Sequence, residues 1–226
     1  MNTVLKNIYE SRPDLSEYLF HFTKGSAAKV TLAKILTDKK IKDINHRGVI
    51  CFTEAPSLSL VDMFKVFSKY DNPMYAPFGI GIPKKNLYKS GARPVIYGPS
   101  NEKLLIDKLI HWRYEDYYPE QKDFSWLREW RIPRKEFQID NSRDFIIIKE
   151  PIDELDNIFN EGEIEVDGCM EDGIFFPKYY QNYQRVWKSI ALESIRELPK
   201  QINFSVEKDI SVQEIGEEVS RFLGSE

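Results

Sequence analysis

Three segments of this chain carry residue types that together can act on a sugar. Tyr18-Leu19-Phe20-His21-Phe22-Thr23 sets one of only three histidines inside an apolar, strand-like run that ends on a hydroxyl residue. Gly48-Val49-Ile50-Cys51-Phe52-Thr53-Glu54 is a second such run, again closing on a threonine. Leu127-Arg128-Glu129-Trp130-Arg131-Ile132 places a carboxylate among aromatic and basic neighbours. A neutral imidazole offers one donor and one acceptor, which suits a ribose hydroxyl. A carboxylate can accept from a ribose hydroxyl and stabilise the oxocarbenium-like transition state of glycosidic cleavage. A threonine between them can orient either partner. This chemistry needs no metal, and none is expected.

Each residue also has a plain structural reading. His21 can be a satisfied histidine in a strand. Thr53 can end a strand that Pro56 closes, with Glu54 solvated. Glu129 can form an ion pair with Arg128 or Arg131. Arg93, in Gly91-Ala92-Arg93-Pro94-Val95-Ile96-Tyr97, can meet a phosphate or lie at the surface. Phe78-Gly79-Ile80-Gly81-Ile82-Pro83 lacks the third glycine and the helix start of a dinucleotide fingerprint. Its glycines suit the close approach of a neighbouring backbone or ligand. No phosphate loop, His-Glu-x-x-His or Gly-x-Ser-x-Gly is present.

The elements that must position these residues follow from apolar periodicity. The pattern predicts a short helix over 2–11, a strand from Tyr18 to Thr23, and a helix from a Ser26 cap to about Lys40. A turn at 45–48 leads to a strand from Val49 to Thr53, then a helix from Leu58 to Ser68. Strands follow at 78–82 and 93–97, a helix from Lys103 to Tyr114, and strands at 129–139 and 144–149. Beyond a soft boundary near Pro151 the texture is acidic. Lys178 to Leu198 reads as a long helix carrying Tyr179, Tyr183, Trp187, Ile190 and Ile195. Its aromatics interleave with Arg185 and Lys188, so it suits either core packing or stacking on single-stranded nucleic acid. Ser211 and Glu214 form a capping box for a last helix to Leu223.

Composition bounds the function. The chain has 226 residues, 42% of them hydrophobic and 13% aromatic, enough for one sizeable core and too apolar for disorder. A net charge of −4 gives no global field to attract nucleic acid, though a local patch is still open to it. Cys51 and Cys169 alone make neither a disulfide framework nor a zinc site. No run approaches a membrane span, and the amino terminus lacks a signal-peptide pattern. A soluble, cytoplasmic protein is expected, in which the Asn203-Phe204-Ser205 sequon is incidental.

Taken together, His21-Phe22-Thr23, Cys51-Phe52-Thr53-Glu54-Ala55-Pro56, Phe78-Gly79-Ile80-Gly81-Ile82, Gly91-Ala92-Arg93-Pro94-Val95-Ile96-Tyr97 and Glu129-Trp130-Arg131 resemble abortive phage-resistance proteins of the AbiGi type. The likeness covers roughly residues 17–150. The same order is similar to histidine-class ADP-ribosyltransferases. That resemblance implies an α+β fold of two packed, mainly antiparallel sheets with peripheral helices around an NAD-sized cleft. Residues 1–150 would form this core, and residues 151–226 an acidic segment and C-terminal helices packed on it.

The resemblance further implies NAD as substrate. His21 would hold the adenosine ribose, Thr53 would orient the nicotinamide side, and Glu129 would stabilise the oxocarbenium. Phe22, Thr23, Phe52, Arg93 and Tyr97 are the further cofactor-binding candidates. The histidine class places a tyrosine at the second motif. Here that strand offers Phe52 and Thr53, and Tyr97 is the nearest tyrosine. The implied function is phage defence by NAD cleavage or ADP-ribosyl transfer. The alternative is a non-catalytic antitoxin or regulator that binds a partner protein from its operon. A nucleic-acid processing role is disfavoured by the acidic pI.

Overall fold

Alternate residues of the first strand face opposite ways, and this sorts the core into two layers. The structure, a computed structural model, describes residues 4, 11–12, 14–148, 162–171, 174–183 and 187–192. In β1 (Tyr18–Phe22), Leu19 packs into one apolar cluster, while Tyr18, Phe20 and Phe22 pack into another. Helix α1 (Ala28–Asp38) covers the first layer with Leu32, Ile35 and Leu36, at helical spacing. Helix α2 (Ser57–Phe67) covers the second with Leu60 and Phe64. A strand buried on both faces reads as a continuous apolar run, which is why Tyr18-Leu19-Phe20-His21-Phe22 lacks alternation. Fully buried side chains such as Leu19 and Phe20 contribute about 1.5–3 kcal/mol each.

The remaining elements complete an α+β fold with mainly antiparallel strands and helices outside them. They are β2 (Lys40–Lys42), β3 (Ile50–Thr53), β4 (Phe78–Pro83), helix α3 (Lys84–Lys89), β5 (Arg93–Pro94), β6 (Ile96–Gly98), β7 (Tyr114–Asp116), β8 (Glu129–Ile132), β9 (Glu136–Gln138), β10 (Phe145–Ile148), β11 (Gly162–Glu171), β12 (Ile174–Tyr183) and β13 (Lys188–Ala191). The main sheet has the order β13-β10-β4-β1-β3-β8-β5, and smaller ladders pair β2 with β9, β6 with β7, and β11 with β12. Within the main sheet every pairing is antiparallel except β10 with β13.

The main sheet is weakly joined at its centre. β1 pairs with β4 along its whole length, from Tyr18↔Pro83 to Phe22↔Gly79. β3 pairs with β8 just as fully, from Ile50↔Ile132 to Thr53↔Glu129. Between β1 and β3 the register records one pair, Phe20↔Thr53. The sheet is therefore two well-knit halves that meet at a single point and open beyond it.

Several expected elements differ. Ser26 makes no capping bond; α1 begins after Ala27. The helix expected over 103–114 is two 3₁₀ turns, Glu102–Leu105 and Lys108–Arg113, the second capped when the Asp107 side chain accepts from the Leu109 amide. Leu104, Leu105 and Leu109 are more than 80% exposed, so no core holds a longer helix there. The strand expected over 129–139 breaks at Pro133, which cannot donate to a ladder. The long helix expected from Lys178 does not form. Residues 174–183 are β12 and residues 188–191 are β13, with Trp187 buried in the first core layer. Aromatic spacing fits a helix and a strand alike over so short a run, and aromatic residues favour the strand. The expected helices over 2–11 and 211–223 and the Pro151 boundary lie outside the described residues. Among those described, no helix is long and apolar enough to cross a membrane.

Gly79 bears out the expected close approach. A Cβ there would lie 2.6 Å from Phe22 Cδ1 and 2.7 Å from the His21 carbonyl oxygen. Gly79→Ala is expected to lower stability by about 1–3 kcal/mol through overpacking. The readout is a lower urea midpoint at unchanged slope; an unchanged midpoint would show that the Phe22 ring yields freely.

Candidate functional site

The opening between β1 and β3 forms a cleft of ≈ 610 Å³. His21, Thr53 and Glu129 all line it, as do Cys51, Tyr75 and Arg131. Three residues far apart in sequence thus share one cavity, each delivered by a strand of the main sheet.

His21 stands at the point where β1 and β3 part. Its Nδ1 lies 2.8 Å from the Cys51 carbonyl oxygen. A carbonyl can only accept, so Nδ1 carries the hydrogen and Nε2 of the neutral ring is left as an acceptor. The imidazole thereby satisfies a backbone group in the gap where the ladder has stopped. Phe52 packs against the ring edge-on, with centroids 5.9 Å apart. Burial lowers the His21 pKa, the Cys51 bond opposes that shift, and the nearby Lys24 charge reinforces it. The ring is therefore neutral near pH 7.

The two threonines serve the backbone. The Thr53 hydroxyl donates to the Leu127 carbonyl and accepts from the Ala55 amide at 3.0 Å. It fastens the end of β3 to the turn that precedes Glu129, and it is only 5% exposed. The Thr23 hydroxyl donates to the Phe78 carbonyl at 2.8 Å, and the Thr23 carbonyl accepts from the Ala76 amide at 2.9 Å. Both residues position the walls of the cleft and have no proton left to give a ligand.

Glu129 is held by Arg131, the structural alternative allowed by the sequence, yet both side chains face the cleft. Arg131 Nε donates to Glu129 Oε1 at 2.9 Å, and Nη2 reaches Oε2 at 3.3 Å. The other Arg131 hydrogens go to the Trp112 and Tyr114 carbonyls and to Glu115, whose carboxylate also meets Lys122 at 3.0 Å. Every N–H of the guanidinium is engaged. Burial works against the Arg131 charge, but bonds and charge from Glu129 and Glu115 outweigh it and raise its pKa. Arg128 turns the other way and binds Asp14 at 2.7 Å. Its left-handed backbone, φ 45°, ends the 125–127 turn and starts Glu129 into β8. A carboxylate has about four lone-pair sites, so the fork leaves room for a ligand hydroxyl.

Four other candidates are placed differently from expectation or in supporting roles. Phe52 is buried in the first core layer, where it backs the imidazole and touches no ligand space of its own beyond the cleft floor. Phe22 packs on Phe64 at 4.9 Å in the second layer while bordering the cleft. Arg93 is outside the lining: its Nη1 donates to the Tyr88 and Ala92 carbonyls, and it lies 4.1 Å over the Tyr88 ring. Carbonyls at a helix C-terminus attract a cation, which explains the detour. Tyr97 is also outside the lining; its hydroxyl donates to the Phe124 carbonyl and accepts from the Glu129 amide, both at 3.2 Å. It supports Glu129 from behind.

The tyrosine that does line the cleft is Tyr75. Its ring rests edge-on against Phe67 at 5.9 Å and Trp126 at 6.3 Å. The Gly25 amide to the Pro73 carbonyl and the Ala76 amide to the Thr23 carbonyl zip its loop to the exit of β1. An available signal was the pair of prolines flanking it in Asn72-Pro73-Met74-Tyr75-Ala76-Pro77, which stiffens an aromatic-bearing loop. Cys51 also lines the cleft. Burial, followed by the Glu129 charge, pushes its thiol up to about 12, so it stays protonated and is no nucleophile at neutral pH. Among the described residues, no group of histidine, cysteine, aspartate and glutamate is placed to hold a metal ion.

No family model, curated protein or solved structure matches this chain.

Two predictions follow from the electrostatics. The folded His21 binds protons less readily than an unfolded one, whose pKa is about 6.5, so its contribution to stability is lost as pH falls through and below that value. The stability gap between the protein and His21→Gln should therefore shrink between about pH 7.5 and about pH 5. Asp144, pushed up to about 7 by burial, acts with the opposite sign over that range, which is why the variant is the reference. A constant gap would mean the ring is solvated. Arg131→Met, which leaves Glu129 without its cation and Glu115 with Lys122 alone, is expected to cost about 3–5 kcal/mol in urea unfolding. A loss below about 1 kcal/mol, the size of an exposed pair, would refute the buried clamp.

Proposed function

We propose that the cleft between β1 and β3 takes NAD as substrate and that the protein breaks its nicotinamide–ribose bond. The observation that supports this is the meeting of His21 and Glu129 in one cleft at the parting of two strands. His21 Nε2 accepts from a hydroxyl of the adenosine ribose. Glu129 uses the lone pairs left by Arg131 to accept from the nicotinamide-side ribose and to stabilise the positive charge that grows on it. Tyr75 gives the nicotinamide ring a flat neighbour. Nicotinamide leaves with the electron pair of the broken bond, and the acceptor or water supplies the pair for the new one. Read with the resemblance to AbiGi-type proteins, this is the activity of a phage-defence toxin.

A second reading, a non-catalytic antitoxin or regulator, is favoured by the Arg131 fork on Glu129 and by the Thr53 hydroxyl's commitment to backbone. Nicotinamide release from NAD by the pure protein separates the two. Glu129→Gln should lower the rate on the order of 10²–10³-fold. His21→Gln should act mainly on KM, since its contact is remote from the bond broken. Equal release by the protein and Glu129→Gln would sink the site assignment. No release, with a stoichiometric partner on purification from the native operon, would establish the second reading.

A further inference from the structure

The charge of this chain is unevenly spread. Residues 24–47 hold six lysines and Arg47 against Asp38 and Asp43, an excess of five positive charges in a chain of net charge −4. The fold turns this segment into one lip of the cleft. Thr31, Lys34, Ile35 and Asp38 line it from one face of α1, and Lys24, Lys40, Lys42, Asn45 and Arg47 line it from the flanking strand and turns. Among the described residues, none forms an ion pair with Lys24, Lys34 or Arg47, and all three are exposed. Lys40 and Lys42 pair at the surface with Glu136 and Asp38, at 3.0 and 2.6 Å. Such exposed pairs are worth about 0–1 kcal/mol and exchange readily for a phosphate.

The lip is also long. The part of α1 that lines it, Thr31 to Asp38, rises about 10 Å at 1.5 Å per residue, and Lys24, Lys40, Lys42 and Arg47 add cations from outside the helix. The lining also holds Met74, Tyr75 and Phe124, which add apolar and aromatic surface beside Glu115, Lys122, Glu129 and Arg131. Cations and an aromatic ring in one groove are what hold a nucleic-acid strand, with phosphates on the cations and a nucleobase on the ring.

We propose that the lip formed by α1, β2 and the 43–47 turn binds the phosphates of a single-stranded nucleic acid that lies across the mouth of the cleft, with one base beside Tyr75. The proposal rests on charge and geometry and stands independently of NAD cleavage. The test is fluorescence anisotropy with labelled single-stranded DNA and RNA of mixed sequence, over a range of salt. The variant is Lys24→Gln/Lys34→Gln/Arg47→Gln, checked for folding by circular dichroism; all three sites are exposed. Each lost phosphate contact removes about 0.7 from the slope of log affinity against log salt, so the variant's slope should fall by about 2, with affinity reduced at least about tenfold. Binding of either strand with that salt dependence supports the proposal. Failure of the protein to bind either strand at low salt, or a variant that binds with unchanged affinity and slope, would overturn the proposal. So would loss of ADP-ribose binding in the variant with no oligonucleotide binding by the protein, since the lip would then serve a dinucleotide alone.

Discussion

The single pair Phe20↔Thr53 that joins β1 to β3 is the constraint on which this structure turns. A fully zipped pair of strands would leave no cavity, and a fully separated pair would leave two unstable half-sheets. The seam between these extremes needs its backbone groups satisfied without a ladder. His21 does this for the Cys51 carbonyl, and the Thr53 hydroxyl takes the Ala55 amide and adds a second bond to the Leu127 carbonyl, which also accepts from the Glu54 amide. Side chains supplement main-chain pairing around the cleft rim. The same polar residues that keep the gap open are therefore the ones that fix its shape.

Charge inside the cleft is balanced pair by pair. Arg131 sits between Glu129 and Glu115, and Lys122 completes the set. A guanidinium with every hydrogen engaged is a strut, so Arg131 fixes the direction of the Glu129 carboxylate and has nothing to offer an incoming anion. An incoming anion would find its cations elsewhere: among the described residues, Lys24, Lys34 and Arg47 of the outer lip form no ion pair.

Much of this was legible in the sequence, for identifiable reasons. β1, β3 and β4 were visible as apolar runs bounded by turn residues, and α1 and α2 as apolar stripes. His21 stood out as a polar group in an apolar strand, a placement that burial makes costly unless the group has a partner, and Glu129 as a carboxylate among aromatic and basic neighbours. What could not be read was long-range pairing. Nothing in Leu127-Arg128-Glu129-Trp130-Arg131 says that Arg131 bends back to Glu129 while Arg128 reaches Asp14. Tyr75 lies in a loop whose position depends on bonds to the exit of β1, so its approach to the cleft is a tertiary fact. Whole-chain charge concealed the basic lip because the acidic residues beyond Pro151 cancel it. The misread helix at Lys178 shows the limit of periodicity in a segment rich in aromatics.

The parallel pairing of β13 with β10 has a consequence for how the chain must be made. During synthesis β10 leaves the ribosome long before Lys188–Ala191, and about forty residues of chain intervene. Until they arrive, at roughly 5–20 residues per second, one side of β10 is a bare row of amides and carbonyls, open to any extended segment nearby. Closing that row requires a non-local, parallel contact, which forms late because its loop entropy comes first. β13 is thus a latch that closes only after the intervening chain has been made, and until then the sheet lacks its partner along β10.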